Sequence, residues 1–412
     1  MNLNRRTFMR GAAAMGIATK TGWAADQSMP TELPAWQEGL LDIHHICTGR
    51  GSATFIMCPD GTTMLIDAGD ISGAGGRTED IILPRLPNAS RTPCEWIAAY
   101  VKRFSKPLKQ ETPKLNYVLL THFHPDHIGC RPDGVTEKNG YALSGITMVA
   151  EHVGIDKLVD RGFPDYDFPS RAATESCNPK FFKDYLAFVD YQRQVKKTVF
   201  EKFNVGSRAQ FVLKQKAKKY TNFSVQNIAA NAVVDEKIIV SREQKPDENM
   251  CSCVIKLSYG AFGYYTGGDC IGLPKKSDIE TAVGEVVGQV DAMCMNHHAY
   301  LDSANPAFIA KLRPRVMVIP AWDMWHPHKE ALARMMDKSI YPDDRTIFAT
   351  GLHKKAKAML GATADAIRRP GHVVIRVSKN GDQYQVFVLD PELFSVVDAT
   401  DELQSQAHKK RS

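Results

Sequence analysis

With 412 residues, 52 Lys and Arg against 46 Asp and Glu, and nine cysteines, the chain has the length for one large domain carrying an insertion, or for one and a half domains. The odd cysteine count without framework spacing excludes a disulfide scaffold and leaves most cysteines as buried apolar residues; Cys270, beside Asp269, is expected to pack, with a place near the site as the alternative. Outside the first 24 residues no apolar run approaches the length of a membrane span, which excludes a membrane anchor in the mature chain.

The chain opens with Asn4-Arg5-Arg6-Thr7-Phe8-Met9-Arg10, followed by a short small-residue run, 11–18, and by Gly22-Trp23-Ala24. This is the pattern of a twin-arginine export signal cleaved after Ala24, so the expected partner is the twin-arginine machinery and the expected location the periplasm. Cleavage removes Arg5, Arg6, Arg10 and Lys20 and no acid, and the net charge falls from +6 to +2. Whole-chain basicity is therefore mostly an export feature and says little about partners.

The domain proper is expected over 38–400. Strand-like runs occupy 41–46, 54–58, 63–67, 117–120 and 157–160, then 211–213, 237–240, 252–257, 262–266, 292–295, 316–319, 346–349, 373–377 and 384–389. Asp60-Gly61 and Asn380-Gly381 read as tight turns between alternating runs. Helix-like runs occupy 94–104, 179–203, 306–311, 329–338 and 354–360. Strands interleaved with helices throughout predict an α/β (α+β) chain with two sheets enclosed by helices. The stretch 161–247 reads as a partly helical basic insertion: it holds the longest predicted helix, and 180–219 carries eleven Lys and Arg against Asp184, Asp190 and Glu201. Residues 401–412 read as a frayed polar tail.

Chemistry concentrates in Thr121-His122-Phe123-His124-Pro125-Asp126-His127-Ile128-Gly129, directly after the apolar run Tyr117-Val118-Leu119-Leu120. Imidazole and carboxylate at a strand exit suit a divalent transition metal, zinc most often. Alternating His122 and His124 can converge on one ion, and Asp126 and His127, one bend later, can reach a second. A metal pair makes hydroxide at neutral pH and stabilises the attacking and leaving oxygens.

The pattern His-x-His-x-Asp-His resembles the signature of the metallo-β-lactamase superfamily. The resemblance continues through Gly51-Ser52-Ala53-Thr54-Phe55-Ile56 and Pro59-Asp60-Gly61-Thr62-Thr63-Met64-Leu65-Ile66-Asp67-Ala68-Gly69, then Tyr264-Tyr265-Thr266-Gly267-Gly268-Asp269 and Met293-Cys294-Met295-Asn296-His297-His298. The double histidine followed by Trp325-His326-Pro327 is closest to the branch with the hydrolase-like domain of DNA-uptake channel proteins and the teichoic-acid phosphorylcholine esterases.

The resemblance implies a four-layer αββα sandwich with two divalent ions, zinc by preference and manganese or iron as alternatives. It implies that His122 and His124 bind the first ion, that Asp126 and His127 bind the second, and that Asp269 bridges them. His297 is expected to complete the second ion, with His298 behind it or donating a proton to the leaving group. Most relatives carry a further histidine for the first ion; here the candidates are His152, at a helix end, and Asp160, at a strand exit, the alternative being two histidines plus carboxylates alone or a weakly occupied first site. Asp67 is expected to accept a hydrogen bond from a ligand histidine, His326 to face substrate, His328 to start a helix, and one of His44 and His45 to point away from the core.

The implied activity is that of an exported hydrolase using a metal-bound hydroxide on phosphoester bonds, with Asp126, His298 and His326 taking part. The basic segment would draw in an anionic polymer or a small phosphorylated substrate; sparse aromatic interleaving does not favour nucleic acid. The same hydroxide could attack lactones or amides, including β-lactam-like compounds. A metal-binding periplasmic domain without activity is the third reading, against which the intact ligand set speaks.

Overall fold

The apolar run 117–120 is continuous because the strand that carries it, Lys114–Leu119, is covered on both faces. In the computed structural model, which describes residues 30–73 and 77–408, this strand lies inside a large mixed sheet. The export signal read from 1–24 and the last four residues lie outside the described residues.

The first sheet runs, in spatial order, Val396–Ala399, Gln383–Leu389, His372–Val377, Leu41–His45, Thr54–Met57, Thr63–Ile66, Lys114–Leu119, Gly154–Asp160 and Val199–Lys202. From Thr63–Ile66 onward its strands are parallel. The second sheet runs from Lys237–Ile238 through Val233–Val234, Phe223–Ala230, Val254–Tyr259 and Phe262–Thr266 to Ala292–Cys294, Val316–Ile319 and Thr346–Ala349, parallel from Phe262–Thr266 onward. Ile43, Ile66 and Leu119 of one sheet meet Ile255, Tyr264 and Val318 of the other in a core between them. The outer face of the first sheet packs on Pro93–Phe104, Gly145–His152 and Phe182–Tyr191; that of the second packs on Glu280–Val287, Pro306–Leu312 and Lys329–Met336. Helix, sheet, sheet and helix form four layers, as expected. The C-terminal ends of the two parallel blocks meet at one edge, where a parallel α/β arrangement leaves room for a site.

Several expectations are corrected. The run 179–203 is not one helix. Phe182–Tyr191 passes into the π turn Gln192–Lys196, closed by Lys197 in a left-handed conformation (φ 63°). Thr198 then donates its hydroxyl to the Ile155 carbonyl at 3.0 Å, and Val199–Lys202 joins the first sheet beside Gly154–Asp160. β-Branched Thr198 and Val199 next to an open sheet edge outweigh the helical pattern. The longest helix among the described residues is Pro93–Phe104, started by a Thr92–Glu95 capping box with Pro93 in its first turn.

Within the stretch 161–247, read as an insertion, Val199–Lys202 and Phe223–Ala230 each join one of the two sheets. Residues 211–213 form no strand; Val212 is held through both backbone groups by the Tyr117 hydroxyl (2.8 and 3.1 Å). Part of the stretch's basic charge is neutralised, Lys216 and Lys219 both pairing with Glu38 at 2.7 Å. The tail is held as far as it is described: Leu403–Gln404 pairs with Gln383–Leu389, and Asp291 accepts from the Gln406 and Ala407 amides. His44 and His45 are both buried, one against Tyr100 and the other near Tyr264, because both faces of their sheet are covered. All nine cysteines are free, and Cys270 packs in the core outside the second sheet.

Candidate metal centre

The ends of two neighbouring strands at the first sheet's edge build one half of the centre. Asp67 follows Thr63–Ile66 in a left-handed conformation (φ 60°). Its carboxylate accepts from the Thr121 amide and hydroxyl, each at 2.8 Å, and from His127 Nδ1 at 2.7 Å. That bond places the proton of His127 on Nδ1 and turns Nε2 inward, as expected of Asp67. His122 and His124 follow the end of Lys114–Leu119, and Pro125 starts the single turn Pro125–Ile128 that carries Asp126 and His127. Extended chain followed by one helical turn brings these four side chains together.

The second sheet supplies the other half. After Phe262–Thr266 the chain turns through Gly267 and Gly268. Gly268 is left-handed (φ 55°), and a Cβ there would lie 2.7 Å from Thr121; a Cβ on Gly267 would lie 2.2 Å from the Tyr265 hydroxyl. Only glycine admits this approach of the two sheet edges, and it delivers Asp269 opposite His127. After Ala292–Cys294, His297, His298 and Ala299 are all left-handed (φ 44°, 53° and 57°), a costly run for residues with side chains. The run is held by buried Glu280, which accepts from Asn296 Nδ2 (2.8 Å) and from the amides of Ala304 (3.1 Å) and Asn305 (2.7 Å). Burial pushes the Glu280 carboxyl up to about 7. A raised carboxyl stabilises the fold below its ordinary value of 4.5 and loses that contribution as pH rises through 7. Parent stability relative to Glu280→Gln is therefore expected to fall across this window, by on the order of 3 kcal/mol, in thermal melts taken at successive pH values.

Two nests of ligand atoms result. Asp126, His127, Asp269 and His298 form one; His122, His124 and Asp269 form the other. His298 Nε2 lies 2.9 Å from Asp126 Oδ2 and 3.4 Å from Asp269 Oδ1, while its Nδ1 donates to the Pro320 carbonyl at 2.8 Å. His298 rather than His297 thus joins the cluster. The left-handed run turns His297 to the rim, where Nδ1 faces Asp302 at 2.7 Å and Nε2 stays 3.8 Å from Asp269. Neither candidate for a further ligand reaches the first nest. His152 is exposed at the end of Gly145–His152. Asp160 is buried elsewhere, accepting from the Gly162 and Phe163 amides and from the Tyr166 and Tyr185 hydroxyls. His326 stacks on His298 with centroids 4.6 Å apart, and His328 caps Lys329–Met336.

The donor chemistry fits divalent cations. His127 Nε2 and His298 Nε2 face each other at 3.4 Å with both Nδ1 protons committed elsewhere. Asp269 Oδ1 accepts no well-formed hydrogen bond although it is buried. Facing lone pairs and a bare carboxylate oxygen call for a shared positive charge. The field agrees. Burial opposes charge on His127 and His298, yet Asp269 first, and then the other carboxylates, raise both, His298 to about 9. Burial also opposes ionisation of Asp126 and Asp269, but His127 leads the cationic groups that hold both carboxyls below the usual range. Burial, then a neighbouring imidazole, keeps His122 and His326 neutral.

One supporting pair escaped the sequence reading. Arg161, fully buried, donates Nε to Glu248 Oε1 (2.8 Å) and Nη2 to Glu248 Oε2, and stands 4.7 Å over the Phe123 ring. Glu248 Oε1 also accepts from the Phe123 amide at 2.8 Å, so the pair grips the backbone between His122 and His124. Its only sequence signal was a charged residue directly after the strand-exit Asp160. Above the centre lies a cleft of about 400 Å³ walled by Ile71, Tyr300, Trp322 and Trp325, with Arg77, Asp323 and His326 also lining it.

The family model of the metallo-β-lactamase superfamily matches residues 47–132, from the first hairpin through the His-x-His-x-Asp-His motif. The mixed two-sheet architecture is consistent with that superfamily's fold. No curated protein matches the chain. Among solved structures it is similar to a protein of unknown function from Enterococcus faecalis V583, at 12 % identity over 76 % of this chain and 71 % of that one, with a TM-score of 0.30. It is also similar to Zn(2+)-bound PqqB from Methylobacterium extorquens, at 10 % identity over 76 % of this chain and 98 % of that one, with a TM-score of 0.34.

Proposed function

We propose that the protein is an exported metal-dependent hydrolase of phosphoester bonds. The observation that carries this reading is the sharing of Asp269, whose Oδ1 serves the nest of His127 and His298 while Oδ2 lies 3.6 Å from His122 in the other. His122, His124 and Asp269 would hold one divalent ion; Asp126, His127, Asp269 and His298 would hold the second. Two imidazoles and carboxylate oxygen at each suit zinc, and the oxygen share admits manganese or iron. Divalent ions held in this way supply a nucleophilic water at neutral pH and neutralise charge building on the attacking and leaving oxygens.

The chain's own groups position and orient. Asp67 and the Pro320 carbonyl fix the tautomers of His127 and His298. His297, held by Asp302 at Nδ1 and by the Asn249 side-chain amide at Nε2 (3.3 Å), stands at the cleft wall where it can orient a departing oxygen. His326 packs its ring against His298 and limits water there. Arg77 brings a positive charge to the cleft, which suits a phosphoester better than a neutral lactone. The resemblance of His297-His298 and Trp325-His326-Pro327 to a phosphoester-cleaving branch points the same way.

Metal analysis of the purified protein, with turnover of phosphodiesters, phosphomonoesters, lactones and a β-lactam, tests this. Two ions per chain are expected, with phosphodiester turnover that chelation abolishes and zinc restores. Turnover confined to lactones or amides would make it an acyl hydrolase; bound metal with no turnover would make it a binding domain. For export, replacing Arg5 and Arg6 with Lys together is expected to hold the protein in the cytoplasm, and cell fractionation showing unchanged periplasmic accumulation would overturn that reading.

A further inference from the structure

We infer that the substrate is an amphiphilic phosphoester, and that its apolar chain or ring lies in a second groove that also borders Trp325. The inference rests on the phosphoester reading of the metal centre and extends it to the rest of the substrate. The groove, of about 210 Å³, is lined by Trp325, Pro327, His328, Lys329, Met359 and Leu360. Trp325 lines both this groove and the cleft over the metal centre, so the two are neighbours that share one wall residue.

Position supports the pairing of groove and cleft. Asp269 and His298 follow the strands Phe262–Thr266 and Ala292–Cys294. The segment 322–328 follows the next parallel strand, Val316–Ile319, and the helix Lys354–Leu360 follows the one after, Thr346–Ala349. Groove and cleft thus draw on segments that follow neighbouring strands of one sheet. A phosphoester seated in the cleft beside Arg77 and Trp325 could lay one ester substituent past Trp325 into the groove.

Exposure supports an apolar occupant. Trp325 is 41 % and Met359 42 % exposed, and both line this groove. The tryptophan is held in that place: its amide donates to Asp323 Oδ1 at 2.9 Å, and its ring lies nearly parallel to that of His328 (26°). A large apolar ring fixed in water beside a catalytic cleft gains by being covered, since apolar area removed from water is the main favourable term in binding such a group.

The test uses the zinc-loaded full chain and p-nitrophenyl phosphodiesters whose second ester group is methyl, butyl or hexyl. kcat/KM is expected to rise by about tenfold or more from methyl to hexyl, given roughly fourfold for each fully buried methylene. That ratio should fall towards one in Met359→Glu, Met359→Gln and Trp325→Ala. Calorimetric binding of methylphosphonate and hexylphosphonate gives a readout that needs no turnover, and hexylphosphonate should bind about tenfold or more tightly to the parent only. Turnover without chain-length dependence, and equal affinity for the two phosphonates, would overturn the groove and leave the phosphoesterase reading standing. Absence of turnover together with Met359-dependent preference for hexylphosphonate would support the groove and overturn that reading. Absence of both would overturn both.

Discussion

Replacing Asp269 with alanine is expected to deplete metal from both halves of the centre and to lower turnover by well over 100-fold. The size follows from position. A residue that only orients a ligand, such as Asp67 behind His127, costs about 10–100-fold in metal affinity or activity when it is lost. Asp269 does more, because its two oxygens face His127 and His298 on one side and His122 on the other. Its loss would leave two divalent charges with no shared anion between them. Metal content and turnover should be measured on the same preparation, with Asp67→Asn as the smaller reference change. Parent-like metal content and activity in Asp269→Ala would remove it from the bridging position.

Glu248→Ala is expected to destabilise the fold by roughly 3–5 kcal/mol and to weaken metal retention at His122 and His124. Arg161 has no exposed surface, so its guanidinium would be left as an uncompensated buried charge. The Phe123 amide would lose its acceptor at the same time, and this amide sits between the two histidines. An Arg161→Met, Glu248→Met double variant should be less destabilised than Glu248→Ala, because no lone charge remains, yet still impaired in metal content. Urea denaturation and metal analysis separate the two effects. If Glu248→Ala stays within about 1 kcal/mol of the parent, the pair does not hold this loop.

The ligand types and the strand that presents them could be read from local sequence. Tyr117-Val118-Leu119-Leu120 followed by His-x-His-x-Asp-His needs only a strand covered on both faces and a turn begun by Pro125, both short-range properties. Asp67 could be placed because it directly ends an alternating strand. The division between His297 and His298 could not. Adjacent residues on an extended chain point to opposite sides, so the pattern allowed either, and the left-handed run 297–299 imposed by Glu280 and Asn296 reversed the expectation. The same holds for Arg161 and Glu248, 87 residues apart and joined only when the two sheet edges meet. The run 179–203 carries a helical pattern, yet an open sheet edge captured its last residues. Sequence by itself determined which chemistry the chain can hold and which strand ends carry it, because strand period, turn residues and donor types are local. Tertiary structure decided which imidazole faces the centre, which buried pair supports it and which apolar side chains stay uncovered, because those depend on how two sheets pack.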